Sequence, residues 1–164
     1  MALLEILTYQ DPALRSKTEE IDHITPEIKN LVRDMSETME AAYGVGLAAP
    51  QVGRLIRLFV YDIGDGPKAV INPRIIRTAG EEVGNEGCLS IPRLLGDVPR
   101  AVKLTVAWLD ENGKRHKRTV EGFQARVFQH ENDHLYGILF TDKALPGSLR
   151  MSDDNLNERE AQIA

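Results

Sequence analysis

The chain has 164 residues, enough for one well-buried domain and too few for two comfortable ones. Its composition, 42% hydrophobic and 27% charged, is that of a globular protein, and a net charge of -5 argues against a nucleic-acid surface, which would show a basic footprint. A single cysteine, Cys88, excludes an internal disulfide, and no apolar stretch approaches the length needed to span a bilayer. The N-terminal "MALLEILTYQDPALR" carries Glu5 within its apolar run and lacks both a basic leader and a small-residue cleavage site. A cytoplasmic protein without membrane contact is the expectation.

In chain order, "DPALR" places Asp11 as an N-cap and Pro12 at the first helical position, which predicts a short helical turn. In "TPEIKNLVRDMSETMEAAYG" Thr25 caps and Pro26 opens a longer helix. Ile28, Leu31, Val32, Met35 and Met39 recur at helical spacing, with Gly44 as the expected stop. The two methionines are read as core filler rather than ligands. "RLIRLFVYD" (54–62) is apolar and β-branched and predicts a strand, "GDGP" (64–67) a turn, and "KAVINP" (68–73) its partner. "VKLTVAWLD" (102–110) is extended, the Asn-Gly of "DENGK" signals a hairpin, and "RHKRTV" returns. That return strand holds the densest basic run, "KRHKR", read as a solvated face with His116 exposed on it.

Helical spacing resumes at Phe123, Val127, Phe128 and Leu135 and ends at Gly137, and "ILF" (138–140) is expected as a short strand. Strands fill the middle and a helix lies near each end. This predicts an α+β domain of mostly antiparallel sheets packed around a helix near the C-terminus. Residues 1–147 are expected to form a single catalytic domain, and 148–164 a polar tail, helical or partly disordered.

The chemistry concentrates in "QHENDHL" (129–135). Residues four apart on a helix differ by roughly 40° around its axis, so His130 and His134 point the same way, one turn apart, and can grip one metal ion. Glu131 projects to a neighbouring direction, close enough to handle a proton beside the metal without being a ligand. A catalytic centre of this kind uses three protein ligands. The residue chemistry leaves the third open among Cys88, within "NEGCLSIP" (85–92), and the downstream acids Asp142, Asp153, Asp154 and Glu158. His23 has no partner at ligand spacing.

Three separated segments, "GVGLAAPQ" (44–51), "EGCLS" (86–90) and "QHENDHL" (129–135), resemble, in order, the three signature motifs of the peptide deformylases. "ILTYQDPALR", "INPRI" and "VPRAVKLTV" are also similar to that family. The resemblance implies metal ligation by Cys88, His130 and His134, with Fe2+ the physiological ion and Zn2+, Ni2+ or Co2+ as substitutes. It implies hydrolysis of the N-formyl group from the formyl-methionine of nascent polypeptides, near the ribosome exit, with release of formate. Glu131 would be the acid–base group, and the Gln51 side-chain amide and the Leu89 backbone N–H would stabilise the charged formyl oxygen. Gly44, Val45, Gly46 and Gly87 would bind the peptide along its backbone, Gly44 and Gly46 by permitting unusual backbone angles.

Glu86, Arg100 and Asp133 are expected to form a charge network orienting the histidines. Arg126 stands where some relatives carry an apolar residue in the methionine pocket, so its stem either lines that pocket or points away. Two other functions stay in view: a metallopeptidase with a downstream acid as third ligand, and a non-catalytic metal- or peptide-binding module.

Overall fold

The computed structural model describes residues 2–152, and the fold is α+β. The Asp11 carboxylate accepts from the Ala13 N–H at 2.9 Å and caps a 3₁₀ turn over Pro12–Arg15. The first helix, α1 (Pro26–Ala41), is capped by Thr25, whose hydroxyl accepts from the Ile28 N–H at 3.3 Å, and Pro26 occupies its first turn. Gly44 is not the residue that turns the chain left-handed at its end. Tyr43 takes that conformation, with φ 59°, while the Gly44 N–H bonds back to the Met39 carbonyl.

Five strands make one antiparallel sheet in the order β1-β2-β3-β6-β7. They are β1 (Gly46–Ala48), β2 (Leu58–Tyr61), β3 (Lys68–Ala79), β6 (Lys103–Leu109) and β7 (Arg115–Glu121). Strand β2 alternates cleanly. Leu58 and Val60 pack with Leu31, Met35 and Met39 of α1, whereas Phe59 and Tyr61 pack on the other face. There they meet α2 (Gly122–His134), whose Phe128 ring lies edge-on to Phe59 at 5.4 Å and within 5.3 Å of Trp108. The sheet is therefore covered by a helix on each side, and that burial holds α2 in place.

The second sheet went unread in the sequence. β4 (Glu82–Cys88) and β5 (Ile91–Arg100) form a hairpin, and β8 (Arg150–Met151) adds to the outer edge of β5, giving the order β4-β5-β8. Pro92 lies inside β5. Leu14, Cys88, Ile91, Val98, Leu139 and Phe140 form a separate apolar cluster. Salt bridges from the hairpin reach α2, so that helix contacts both sheets.

Three more expectations are corrected. Residues 54–57 precede the strand, which begins at Leu58. Phe140 opens a one-turn helix, α3 (Phe140–Lys143), instead of a strand, because the Asp142 carboxylate caps it by accepting from the Leu139 N–H at 3.0 Å. His116 is not an exposed residue: it stacks on Trp108 at 5.2 Å, and its Nε2 lies 2.9 Å from the Asp110 carboxylate. The expected tail begins with the ordered pairing of Arg150–Met151, and the part from 153 onward lies outside the described residues. Among the described residues, no helix is long and apolar enough to cross a membrane.

Candidate metal centre

The last residue of β4 and the last two turns of α2 converge on one point. Candidate ligand atoms of Cys88, His130 and His134 all lie within 4.8 Å of one another, and the three residues are buried. It is the only such cluster among the described residues. Cys88 Sγ stands 3.5 Å from His134 Nε2. Tetrahedral coordination with a metal–sulfur bond of about 2.3 Å and a metal–nitrogen bond of about 2.05 Å requires an S···N separation of about 3.6 Å. The Cys88–His134 separation thus matches a shared divalent cation, and His130 brings the third donor within 4.8 Å of both.

The histidine tautomer supports the same fit. His130 Nδ1 lies 2.8 Å from Glu86 Oε1. Burial alone would raise the Glu86 pKa, but hydrogen bonds from Arg100 and His130 outweigh it and hold the carboxyl well below its ordinary value. An ionised carboxylate only accepts, so Nδ1 carries the proton, and in the neutral imidazole that leaves Nε2 to present a lone pair. That Nε2 is buried and has no hydrogen-bond partner among the described residues. Burial, aided by the Glu131 carboxylate, pushes the Cys88 thiol up. A divalent cation reverses that, because a coordinating thiol is deprotonated outright.

Glu131 is fully buried, and neither carboxylate oxygen has a hydrogen-bond partner among the described residues. Burial first, then the Glu86 carboxylate, raises its pKa well above the usual range. A buried carboxyl left unpaired in this way costs stability, and its place is understandable as a proton carrier. Gly46 of β1 lies against it: a Cβ built there would stand 2.5 Å from Glu131 Oε2. Neither Gly44 nor Gly46 has a positive φ. The expectation that these glycines supply unusual backbone angles is therefore wrong; at Gly46 the missing side chain is what counts.

Gln51 is also fully buried. Its Oε1 accepts from the Ala48 N–H at 2.8 Å, which fixes the amide orientation, and its Nε2 donates to Ser90 Oγ at 3.1 Å and lies 3.7 Å from Cys88 Sγ. Ser90 lies within the "EGCLS" motif, where its only signal is its place two residues after the cysteine.

The expected charge network is present. Arg100 grips Glu86 with two bonds of 2.9 Å and reaches Asp133 at 2.6 Å, while Lys143 adds a 2.9 Å contact to Asp133. Arg126 joins it by donating to Glu86 Oε2 at 2.6 Å. Leu89 and Gly87 flank Cys88. Val45 precedes β1, and its carbonyl accepts from the Asp62 N–H. Asp142, considered as a third ligand, is bound instead to Arg15 and the Leu139 N–H. Asp153, Asp154 and Glu158 lie outside the described residues.

One cysteine sulfur, two imidazoles and an adjacent unpaired carboxyl, all on rigid elements, define a mononuclear metallohydrolase centre. The chain belongs to the polypeptide deformylase family, whose sequence profile matches residues 3–149. It is 49% identical to the peptide deformylase of Symbiobacterium thermophilum, covering all of this chain and 76% of that one. Identity to the Halothermothrix orenii peptide deformylase is 50%, over 88% of this chain and 96% of the relative. The crystal structure of the Thermotoga maritima peptide deformylase superposes with a TM-score of 0.87 at 41% identity, covering 89% of this chain and all of that one. That of the Synechococcus elongatus peptide deformylase in complex with actinonin gives 0.84 at 39% identity, covering 96% of this chain and 83% of that one.

Proposed function

We propose that this chain hydrolyses the formyl group from the N-terminal formyl-methionine of nascent polypeptides, acting near the ribosome exit, with Fe2+ held by Cys88, His130 and His134. The observation that carries the reading is the meeting of those three donors beside the unpaired Glu131 carboxyl. A divalent cation held there acts as a Lewis acid on the formyl oxygen and on a neighbouring water. Glu131 takes the water's proton and passes it to the departing nitrogen, one group serving as base and then acid. The Gln51 amide donates to Ser90 Oγ and, over 3.7 Å, to Cys88 Sγ; the N–H now on the sulfur would turn to the formyl oxygen, joined by the Leu89 N–H.

β1 and β4 are the end strands of their sheets. Their open edges suit an extended peptide, held by main-chain bonds at Gly44, Val45 and Gly46 on one side and Gly87 on the other. A thiolate and two imidazoles also accept Zn2+, Ni2+ or Co2+, and zinc binds such sites more tightly than ferrous iron. The preference for iron therefore rests on the family resemblance and on activity rather than affinity.

The test is formate release from a formyl-methionyl peptide under anaerobic conditions, with and without chelator, followed by return of each ion. Activity is expected to vanish with chelator and to return most fully with Fe2+. Chelator-resistant activity, or peptide-bond cleavage without formate, would overturn the proposal.

A further inference from the structure

Arg126 belongs to neither the ligand set nor the proton path, yet it is 8% exposed in a helix whose other buried polar residues are His130, Glu131, Asp133 and His134. It stands one turn before His130, and with His130 and Asp133 it falls at positions i, i+4 and i+7, on one face of α2. Its guanidinium makes three hydrogen bonds, all to the β4–β5 hairpin. Nη1 donates to Glu86 Oε2 at 2.6 Å and to the Val98 carbonyl at 2.9 Å, and Nη2 donates to the Glu82 carbonyl at 2.8 Å. The group thus spans both strands of the hairpin and the carboxylate that orients His130.

The hairpin is shaped to receive it. Gly84 sits between Glu82 and Glu86 on β4 and pairs with Val98. A Cβ at Gly84 would lie 2.7 Å from Arg126 Cζ, 2.8 Å from Nη2 and 2.9 Å from Nε. No positive φ explains the glycine. Its missing side chain leaves the room that the planar group fills.

We infer that Arg126 is a positioning residue: seated against Gly84, it locks the hairpin that carries Cys88 to the helix that carries His130 and His134, and so sets the spacing of the donor atoms. The inference rests on the metal-centre reading above. The sulfur and the imidazoles come from different elements, and their separation depends on how the hairpin docks on α2. Asp133 ties the C-terminal half of the helix to Arg100. Arg126 ties the N-terminal half, and the contact of His130 Nδ1 with Glu86 lies between them, so the docking cannot pivot about one point. A lysine retains the charge but cannot reach three divergent acceptors with the fixed fork of a guanidinium.

The experiment uses Co2+ as probe, reading both its dissociation constant and its ligand-field absorption spectrum, with circular dichroism of each variant to establish folding. R126M and G84A are each expected to weaken Co2+ binding roughly tenfold and to shift the spectrum, as outer groups that orient ligands do elsewhere. The double variant is expected to lose no more than R126M alone, since both changes act on the same guanidinium. R126K is expected between wild type and R126M. With the ion bound, kcat is expected to fall and KM to stay near wild type.

Wild-type affinity and spectrum in R126M, additive losses in the double variant, or full rescue by lysine would each overturn the inference. If R126M does not fold, G84A and R126K decide by the same criteria. A wild-type chain that takes up no Co2+ would overturn the metal centre itself, and this inference with it.

Discussion

Replacing Gly46 with alanine isolates one contact at the reaction centre. The added methyl would stand 2.5 Å from Glu131 Oε2, 2.8 Å from Cδ and 3.0 Å from Cγ. Ordinary van der Waals contact requires the carboxylate to retreat by roughly 1 Å. The glutamate is fully buried on α2, so it has little room to do so, and β1 is held in register by its pairing of Gly46 with Tyr61. A displacement of about 1 Å of a catalytic group costs on the order of 100-fold in rate, equivalent to about 2.7 kcal/mol. Steady-state formate release should therefore show kcat down about 100-fold. Metal content should be unchanged, because the three atoms nearest the methyl all belong to Glu131, which is not a ligand. Retention of a third or more of the wild-type kcat by a metal-loaded variant would refute the reasoning. So would a rate loss that merely tracks lost metal.

Cys88→Ser should lose most of its bound metal, measured by elemental analysis after dialysis, whereas Glu131→Gln should keep the ion and lose about 100- to 10,000-fold in kcat. Gln51→Ala removes a donor and should cost roughly 100- to 1,000-fold in kcat. Glu86→Ala leaves two buried guanidiniums facing each other without their shared carboxylate, which should cost about 3–5 kcal/mol, seen in thermal melts as a fall in Tm of roughly 10 °C. At the surface, the Arg15 guanidinium holds the Asp142 carboxyl below its ordinary value. That pair stabilises the fold at pH above the unfolded carboxylate pKa and is lost as pH falls through the lower folded value. Asp142→Asn should thus be slightly less stable than wild type at neutral pH and converge with it in acid, as followed by urea titration.

Legibility in the sequence followed burial period and local turn chemistry. α1 was readable because its apolar residues recur at helical spacing and Thr25-Pro26 announces its start. The β6–β7 hairpin was readable from Asn-Gly. The β4–β5 hairpin was hidden because Gly84, Gly87, Pro92, Gly96 and Pro99 are poor strand formers, tolerated here for close approach and edge geometry. The two histidines were visible at i, i+4, but their distance from Cys88 is set by tertiary docking, which spacing does not encode. For Arg126 the sequence left two directions open, and only the hairpin's carbonyls decide between them. Ser90 had no periodic signal at all; its hydroxyl matters only because the Gln51 amide arrives from a remote turn.

The brevity of β1 bears on breadth of action. In the proposed docking, Gly44–Gly46 would meet a guest chain through amides and carbonyls that every amino acid shares, and the strand that continues them is only three residues long. Contacts of that generic kind would suit substrates that share a terminus and differ in the sequence that follows.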